Sequence, residues 1–456
     1  MFAKAFALDG VQEILTSTTR SRLTDFVSES IPHGAGPVFG SLALTGLSAY
    51  AFLSLTAHIL GPAKYVSISV LWSVIFVIGP GVFLPFQQFL THEISYRRSR
   101  NLGTRPVVST AALVGGGLVI ILVTIIWISA PELKKRLFDG STQLVVALAL
   151  ALIGYSMMFL VSGILTGSGR FGFYALSQSL DGVVRIAICA ILAFVGVATA
   201  GPYGIVFGAV PAVIAIAVMV PNLDLLEPGP PVNGREMSRS LTWLIIGSVS
   251  TQLLLNGSVI AFKIMSTSIS GARVGGFVAG VVIARIPLFL FGAIQSTLLP
   301  QLSIHHHASE HDLFGKRVIR TALLVCCIGV ACILGIAILG PWTLRVFFGH
   351  KFILGRATMS VLAGTISLYM LAMIAAQGLI ARGKAALSAI GWIAGLLVFV
   401  GLLTTGTPLM GRIEIAYLGG TLVSLFVEFG LLWLTHGAAL RQNYSIGQVN
   451  TERGAN

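Results

Sequence analysis

The sequence predicts an all-α polytopic membrane protein of about twelve transmembrane helices in two parallel repeats of six, and three observations carry that prediction. Hydrophobic residues fill 55% of the 456 positions and charged residues only 10%, against about 25% charged in soluble domains; the mean hydropathy is +0.91. Apolar runs long enough to cross a bilayer, about 20 residues at 1.5 Å rise, recur along most of the chain. The two halves also echo each other at an offset of about 210 residues, far beyond a solenoid period, with APELKKRLFDG from Ala130 answered by GPWTLRVFFG from Gly340. GILTGSGR from Gly163 returns as GLIARGK from Gly378, and GPAKY from Gly61 has a fainter echo in SGARV from Ser270.

The elements follow in order. Residues 1–36 are too polar to span and lack the apolar core and cleavage site of a secretory signal, so they are expected to form a cytoplasmic tail. Phe2, Phe6, Val11, Ile14 and Leu15 leave two readings open there, an interfacial helix or a disordered segment. Spans at 38–60 and 66–90 flank the Gly-Pro turn of GPAKY, and the basic loop THEISYRRSR closes the second. The third span, 107–129, stops at Pro131, the fourth, 143–166, stops at GSGR, and the fifth and sixth cover 172–196 and 202–220. The segment 221–240, PNLDLLEPGPPVNGREMSRS, holds four prolines and reads as a cytoplasmic linker. It separates an N-lobe, 37–220, from a C-lobe, 241–438, which is followed by a cytoplasmic tail, 439–456. In the C-lobe the spans fall at 241–263, 276–302, 318–340, 357–380, 385–405 and 414–437.

An even number of spans per half makes the repeats parallel, related by an axis along the membrane normal. Of the 29 Lys and Arg, 17 fall on the side of the N-terminus and 9 on the other, with Arg185, Lys263 and Arg285 in or at the edges of spans. The positive-inside rule then sets both termini in the cytoplasm. The formal charge of +13 is explained by that rule and by anionic headgroups, without nucleic acid.

Charges within spans carry most of the functional information, because each costs at least about 2.5–3.5 kcal/mol to insert. Asp181 and Arg185 lie four apart near the middle of the fifth span, as an i, i+4 pair that either neutralises itself or lines a path. Glu428 in the twelfth span either lines a path or is buried against a polar neighbour. Lys263 is expected to snorkel to the outer headgroups. Arg285 stands apart: no acidic residue lies within a helical turn, and Pro287 two residues on frees a backbone carbonyl. Three basic groups against two acidic ones favour an anionic headgroup, and a diphosphate suits the guanidinium fork. Cys189, Cys326, Cys327 and Cys332 fall within spans and read as packing residues. The cluster His305, His306, His307 and His311 reads as a solvated loop, with a metal site the lesser reading.

GPAKY, THEISYRRSR, GSGRFGFYALSQ, ARIPLFLFGAIQSTLLPQLS and FFGHKFILGRA together resemble the polysaccharide-flippase members of the multidrug/oligosaccharidyl-lipid/polysaccharide superfamily, over residues 38 to 437. The resemblance implies two six-helix lobes in a V-shaped, MATE-like transporter fold. It implies export of a polyprenyl-(di)phosphate-linked sugar across the bacterial cytoplasmic membrane by alternating access, with no catalytic chemistry. It further implies that the first, second, seventh and eighth spans face a central cavity, with Arg285 there and Gln87, Gln88, Asn256 and Gln295 as neutral partners. The substrate path is thus expected among Arg285, Asp181, Arg185, Asn256, Gln295, Gln87, Gln88 and Glu428. Membrane lipids, the anionic lipid-linked glycan and glycosyltransferases or a polymerase of the same pathway are the implied partners. No cofactor is expected beyond a coupling ion, Na+ or H+, or the membrane potential. The first span holds no charge, only His58 near its outer end, so a strongly cationic cavity of the peptidoglycan-precursor type is not expected.

The rivals are a cation-coupled multidrug exporter of the same superfamily, which would lean on acidic residues in the first lobe, a major-facilitator transporter, and a membrane-embedded glycosyltransferase or polymerase. The loop after the second span lacks the glycine-aspartate and arginine pattern of the major facilitators. GPAKY offers no carboxylate for external catalysis. Reporter fusions within 221–240 and in 439–456 should both signal cytoplasm; a periplasmic signal from either would break the six-plus-six arrangement.

Overall fold

The computed structural model of the protein describes residues 35–231, 234–266, 271–288, 291–292 and 311–453. The described residues form helices: α1 (Ala35–Ile78), a π-helical turn (Gly79–Phe83), α2 (Leu84–Ser99), α3 (Arg105–Ile128), α4 (Ala130–Arg136), α5 (Thr142–Gly167), α6 (Phe171–Phe194) and α7 (Ala200–Met219). A 3₁₀ turn (Val220–Leu225) follows, then α8 (Gly234–Met265), α9 (Gly271–Ala284), α10 (His311–Phe348), α11 (Arg356–Ala381), α12 (Ala385–Leu402) and α13 (Leu409–Arg453). Eleven helical stretches are long and apolar enough to cross a membrane, and one of them, Gly40–Ser99, is 60 residues long.

That long stretch is two spans. At Gly61 the backbone leaves the helix with φ 68° and ψ 170°, a conformation open to glycine because it has no Cβ. The rings of Phe52 and Trp72, on either side of it, lie 5.2 and 6.2 Å from the ring of Phe207. An unbroken helix would hold those two residues about 30 Å apart, so the chain reverses at GPAKY and the described residues hold twelve spans. The second of them bends again where GPGVF winds into the π-helical turn. Pro80 has no N–H to continue the ladder there, the usual cause of such a bulge.

Small residues bring the helices together within each half, as expected where lipid supplies no hydrophobic drive for association. α5 packs along α7 so closely that a Cβ on Gly208 would come 2.4 Å from the Ala147 carbonyl oxygen. α12 meets α13 in the same way, with a Cβ on Gly420 2.7 Å from the Gly395 oxygen. The chain between the halves is irregular from 226 to 231, and it is strapped to the loop before α3. Arg105 N–H donates to Glu227 O at 2.9 Å, Arg97 donates to Gly103 O at 2.9 Å and Pro230 O at 3.1 Å, and Thr104 donates to Leu225 O. Helix α8 begins at Gly234, earlier than the apolar run from 241, because its first turns are polar.

The core is continuous at one end of the molecule and divided at the other. One cluster joins Phe52, Tyr65 and Phe207 of the first half to Phe262, Phe277, Phe348 and Phe352 of the second, close to Gly61. Towards Arg97 the clusters separate, one around Phe83, Phe86, Leu90 and Ile94 and another around Phe291, Phe314, Met370 and Ile374. The two halves are therefore joined most firmly at the Gly61 end.

Candidate functional site

A cavity of about 230 Å³ lies between the halves and is walled by α1 on both sides of Gly61, by α8 and by α9. These are the first, second, seventh and eighth spans. Its polar lining comes from Ser69, Ser73, Gln252, Asn256 and Arg285, and its apolar lining includes Leu53, Trp72, Phe76 and Val259. Tyr50 lies about 16 Å from Gly61 along one helix, and Arg285 about 21 Å into α9, at 1.5 Å per residue. The cavity thus sits near the middle of a hydrocarbon layer of about 30 Å.

Local sequence sets Arg285 in place. α9 ends at Ala284, and Arg285 is a turn whose carbonyl accepts from Leu288 N–H at 3.0 Å. Pro287 cannot donate to the ladder, so the break falls at Arg285 and helix resumes from Ile286 to Leu288. The guanidinium reaches α8, where Nη1 donates to Asn256 Oδ1 at 3.0 Å and Nη2 to the Leu255 carbonyl. Tyr417 donates to the same carbonyl at 3.3 Å. Asn256 is itself oriented by its amide nitrogen, which donates to Gln252 O at 3.1 Å and Gln252 Oε1 at 3.3 Å. All of these partners are neutral. Arg285 Nε has no hydrogen-bond partner among the described residues, and none of the cavity's lining residues is acidic. The arrangement is a cation steered by one edge and left with unused donors.

The other expected residues fall elsewhere. Asp181 and Arg185 form a buried ion pair inside the first half, with the Arg185 guanidinium 4.6 Å from the Phe207 ring. They do not line the central cavity. Their charges cancel, and Gly182 beside them packs on Ser48 of α1, so the pair pins α6 into the lobe. Glu428 is fully buried in the second half, where Ser388 donates to it at 3.1 Å and Gly391 leaves it room; it too is outside the cavity. Gln87 lies against Gly163 of α5 within the first half. Gln88 lines a separate cavity of about 120 Å³ that also touches Thr251, Gln377 and Trp392. Gln295 and His305, His306 and His307 lie outside the described residues, and no metal-ligating group of three is found among the described ones. The cysteines are unpaired, with Cys189 buried and Cys326 and Cys327 exposed.

Lys263 departs from the expectation that it snorkels. It donates to Asp139 Oδ1 at 2.6 Å, while Ser67 donates to the other carboxylate oxygen at 2.5 Å. Asp139 adopts φ 46°, and its carboxylate meets Ser67 of the first half and Lys263 of the second. Together with the ring cluster of Tyr65, Phe348 and Phe352, whose centroids lie 5.5–5.8 Å apart, this contact closes the Gly61 end. Nearer the cavity, on the other side, Ser248 donates to Pro80 O at 3.3 Å. Sequence reading missed Ser69, Ser73 and Gln252. Their signal was present, since Ser69 and Ser73, like Gln252 and Asn256, are four apart and share a helix face.

Such a fold and site define a membrane transporter. The fold is that of the MATE transporters: an inward-facing multidrug resistance MATE family transporter of the MOP superfamily superposes with a TM-score of 0.69 at 14% identity, covering 87% of this chain and 96% of that one. A MOP superfamily transporter from Pyrococcus furiosus, described by the reverse polarity of its binding pocket, gives 0.65 at 15% identity, covering 89% and 95%. Residues 81–383 match the family model of the lipid II flippase MurJ, and the chain belongs to that family. The superfamily is the expected one, and the matching family within it is that of the lipid II flippases. Among curated proteins, the uncharacterized protein Rv1510 of Mycobacterium tuberculosis is 26% identical over 429 residues, 90% of this chain and 95% of that protein. The uncharacterized protein Mb3654 of Mycobacterium bovis is 26% identical over 403 residues, 85% and 89%.

Breaking the Asp181–Arg185 pair should cost stability rather than binding. Asp181→Ala strands a buried guanidinium, at about 3–5 kcal/mol, and should lower membrane abundance and the melting temperature. Asp181→Ala with Arg185→Ala should recover part of the loss when abundance and melting are measured side by side.

Proposed function

We propose that the protein moves a polyprenyl-diphosphate-linked saccharide across the bacterial cytoplasmic membrane by alternating access, for cell-envelope synthesis. The observation that carries this reading is the uncompensated Arg285 in the central cavity. A guanidinium with free N–H groups meets phosphate oxygens through paired, charge-assisted hydrogen bonds, and water exclusion strengthens them. The polyprenyl tail stays in the bilayer while the headgroup crosses. Family membership supports a lipid-linked substrate, and the absence of acidic lining argues against a path for cationic drugs.

A cavity of about 230 Å³ is smaller than the roughly 300–1,000 Å³ of ordinary ligand pockets, so a diphosphate-sugar headgroup requires the lobes to part. The Gly61 end would open by loss of the Asp139–Lys263 and Tyr65–Phe348–Phe352 contacts. The bent second span, with its π-helical turn against α8, is the natural hinge. Both termini would be cytoplasmic, and headgroup loading would occur from the Arg97 end. Uphill transport would draw on a coupling ion, Na+ or H+, or on the membrane potential, which acts directly on a charge at this depth. Glycosyltransferases and a polymerase of the same pathway are the proposed neighbours.

Flipping of a headgroup-labelled polyprenyl-diphosphate saccharide in proteoliposomes tests the reading. Arg285→Lys keeps charge but loses the fork and should slow flipping about tenfold, the equivalent of one charged hydrogen bond of about 1.5 kcal/mol. Arg285→Ala should slow it further, and Asn256→Asp, which sets a carboxylate against the guanidinium, should do the same at normal abundance. Wild-type flipping by Arg285→Ala would remove Arg285 from the mechanism.

A further inference from the structure

A second and larger cleft, about 750 Å³, opens at the Gly61 end outside the central cavity. One wall is the end of the first span, with His58 and Pro62, and the other is the end of α10 and the turn after it, with Trp342, Arg345, His350 and Lys351. The cleft therefore straddles the two lobes. Four of its lining side chains are basic or imidazole and none is acidic. The side chains of Arg345, His350 and Lys351 are exposed and have no ion-pair or hydrogen-bond partner among the described residues. His58 is oriented by its Nδ1, 2.8 Å from Ser54 O, which leaves Nε2 facing Gly349 and the cleft.

The rim is apolar and exposed: Trp342 is 60% accessible and Val346 52%. An exposed Trp at the end of a span marks the level of the headgroups, and Val346, on the same helix face four residues on, suits acyl chains. Solvated surface charges are ordinary at such ends. Here, though, they converge on a concave site contributed by both lobes, next to a surface that water does not favour. Phosphate with an attached acyl chain matches both features.

We propose that this cleft binds the phosphate of an anionic membrane phospholipid, and that the bound lipid holds the lobes together at the Gly61 end. Arg345 and Lys351 supply the charge and His58 Nε2 completes the site from the other lobe. One turn before His58, Ser54 already joins the lobes: its hydroxyl donates to Phe347 O at 2.5 Å. Parting of this end separates His58 from Arg345 and dismantles the site. The lipid then binds one state better than the other and, by linkage, favours the closed one. This site is independent of the substrate assigned to Arg285.

The test is native mass spectrometry of the full chain in neutral detergent, titrated with phosphatidylglycerol and with phosphatidylcholine of the same acyl chains. Wild type should retain phosphatidylglycerol at least about fivefold better, the equivalent of one interfacial cation. Arg345→Gln with Lys351→Gln should abolish most of that preference, His58→Ala should weaken it, and Arg345→Lys should keep it. Inorganic phosphate at millimolar concentration should not displace the lipid. A second measurement needs no charge variant: brominated phosphatidylglycerol should quench Trp342 more than brominated phosphatidylcholine, read as the difference between wild type and Trp342→Phe. Equal retention of the two lipids, an unchanged preference in the double variant or equal quenching would overturn the proposal. Displacement by free phosphate, or stronger retention of a polyprenyl diphosphate than of phosphatidylglycerol at this cleft, would overturn the phospholipid assignment.

Discussion

A guanidinium held at mid-membrane by neutral partners alone is the constraint on which the rest depends. Arg285 meets the Asn256 amide and a backbone carbonyl, and among the described residues no carboxylate lines the cavity to cancel its charge. Burial of such a cation is costly, and the neutral contacts offset only part of that cost. The proposed anionic headgroup would supply the remainder, so that the site would be completed by its ligand. The two other charged features of the span interiors contrast with it: Asp181 neutralises Arg185, and Glu428 takes a hydrogen bond from Ser388 deep in its own lobe.

The same division of labour governs the lobes. Within each, glycines permit backbone contact and the packing is close. Between them, at the Gly61 end, the continuous core is fastened by contacts that can separate, among them one ion pair, one ring cluster, the Ser54–Phe347 hydrogen bond and the close approach of Gly275 to the Pro62 carbonyl, 2.4 Å from where a Cβ would stand. A structure of rigid halves joined by replaceable contacts suits exchange between two arrangements. The basic cleft beside those contacts gives the surrounding membrane a means to bias the exchange.

Much of this was legible in the chain. Apolar runs located the spans, because length and hydropathy suffice at 1.5 Å per residue, and GPAKY marked the reversal at Gly61. Pro287 signalled the break that presents Arg285, and the spacing of Asp181 and Arg185 signalled their pairing. The polar stripe of α6, with Ser177, Asp181 and Arg185 on one face, was legible, but a stripe does not tell whether it faces the interior of a lobe or a central cavity. Asp181 and Arg185 could therefore not be assigned to the lobe interior, where Phe207 from another helix stacks on the pair. Nor could Lys263 be matched to Asp139, 124 residues away, because that contact depends on the relative placement of the halves.

The most direct test of the central claim is equilibrium binding of a short prenyl diphosphate and of the matching prenyl alcohol to the purified chain. The diphosphate should bind at least about tenfold more tightly, by virtue of charge-assisted hydrogen bonds. That excess should vanish in Arg285→Gln and persist in Arg345→Gln with Lys351→Gln, which leaves the central cavity intact. Equal affinity for the two compounds, or an excess untouched by Arg285→Gln, would contradict that claim.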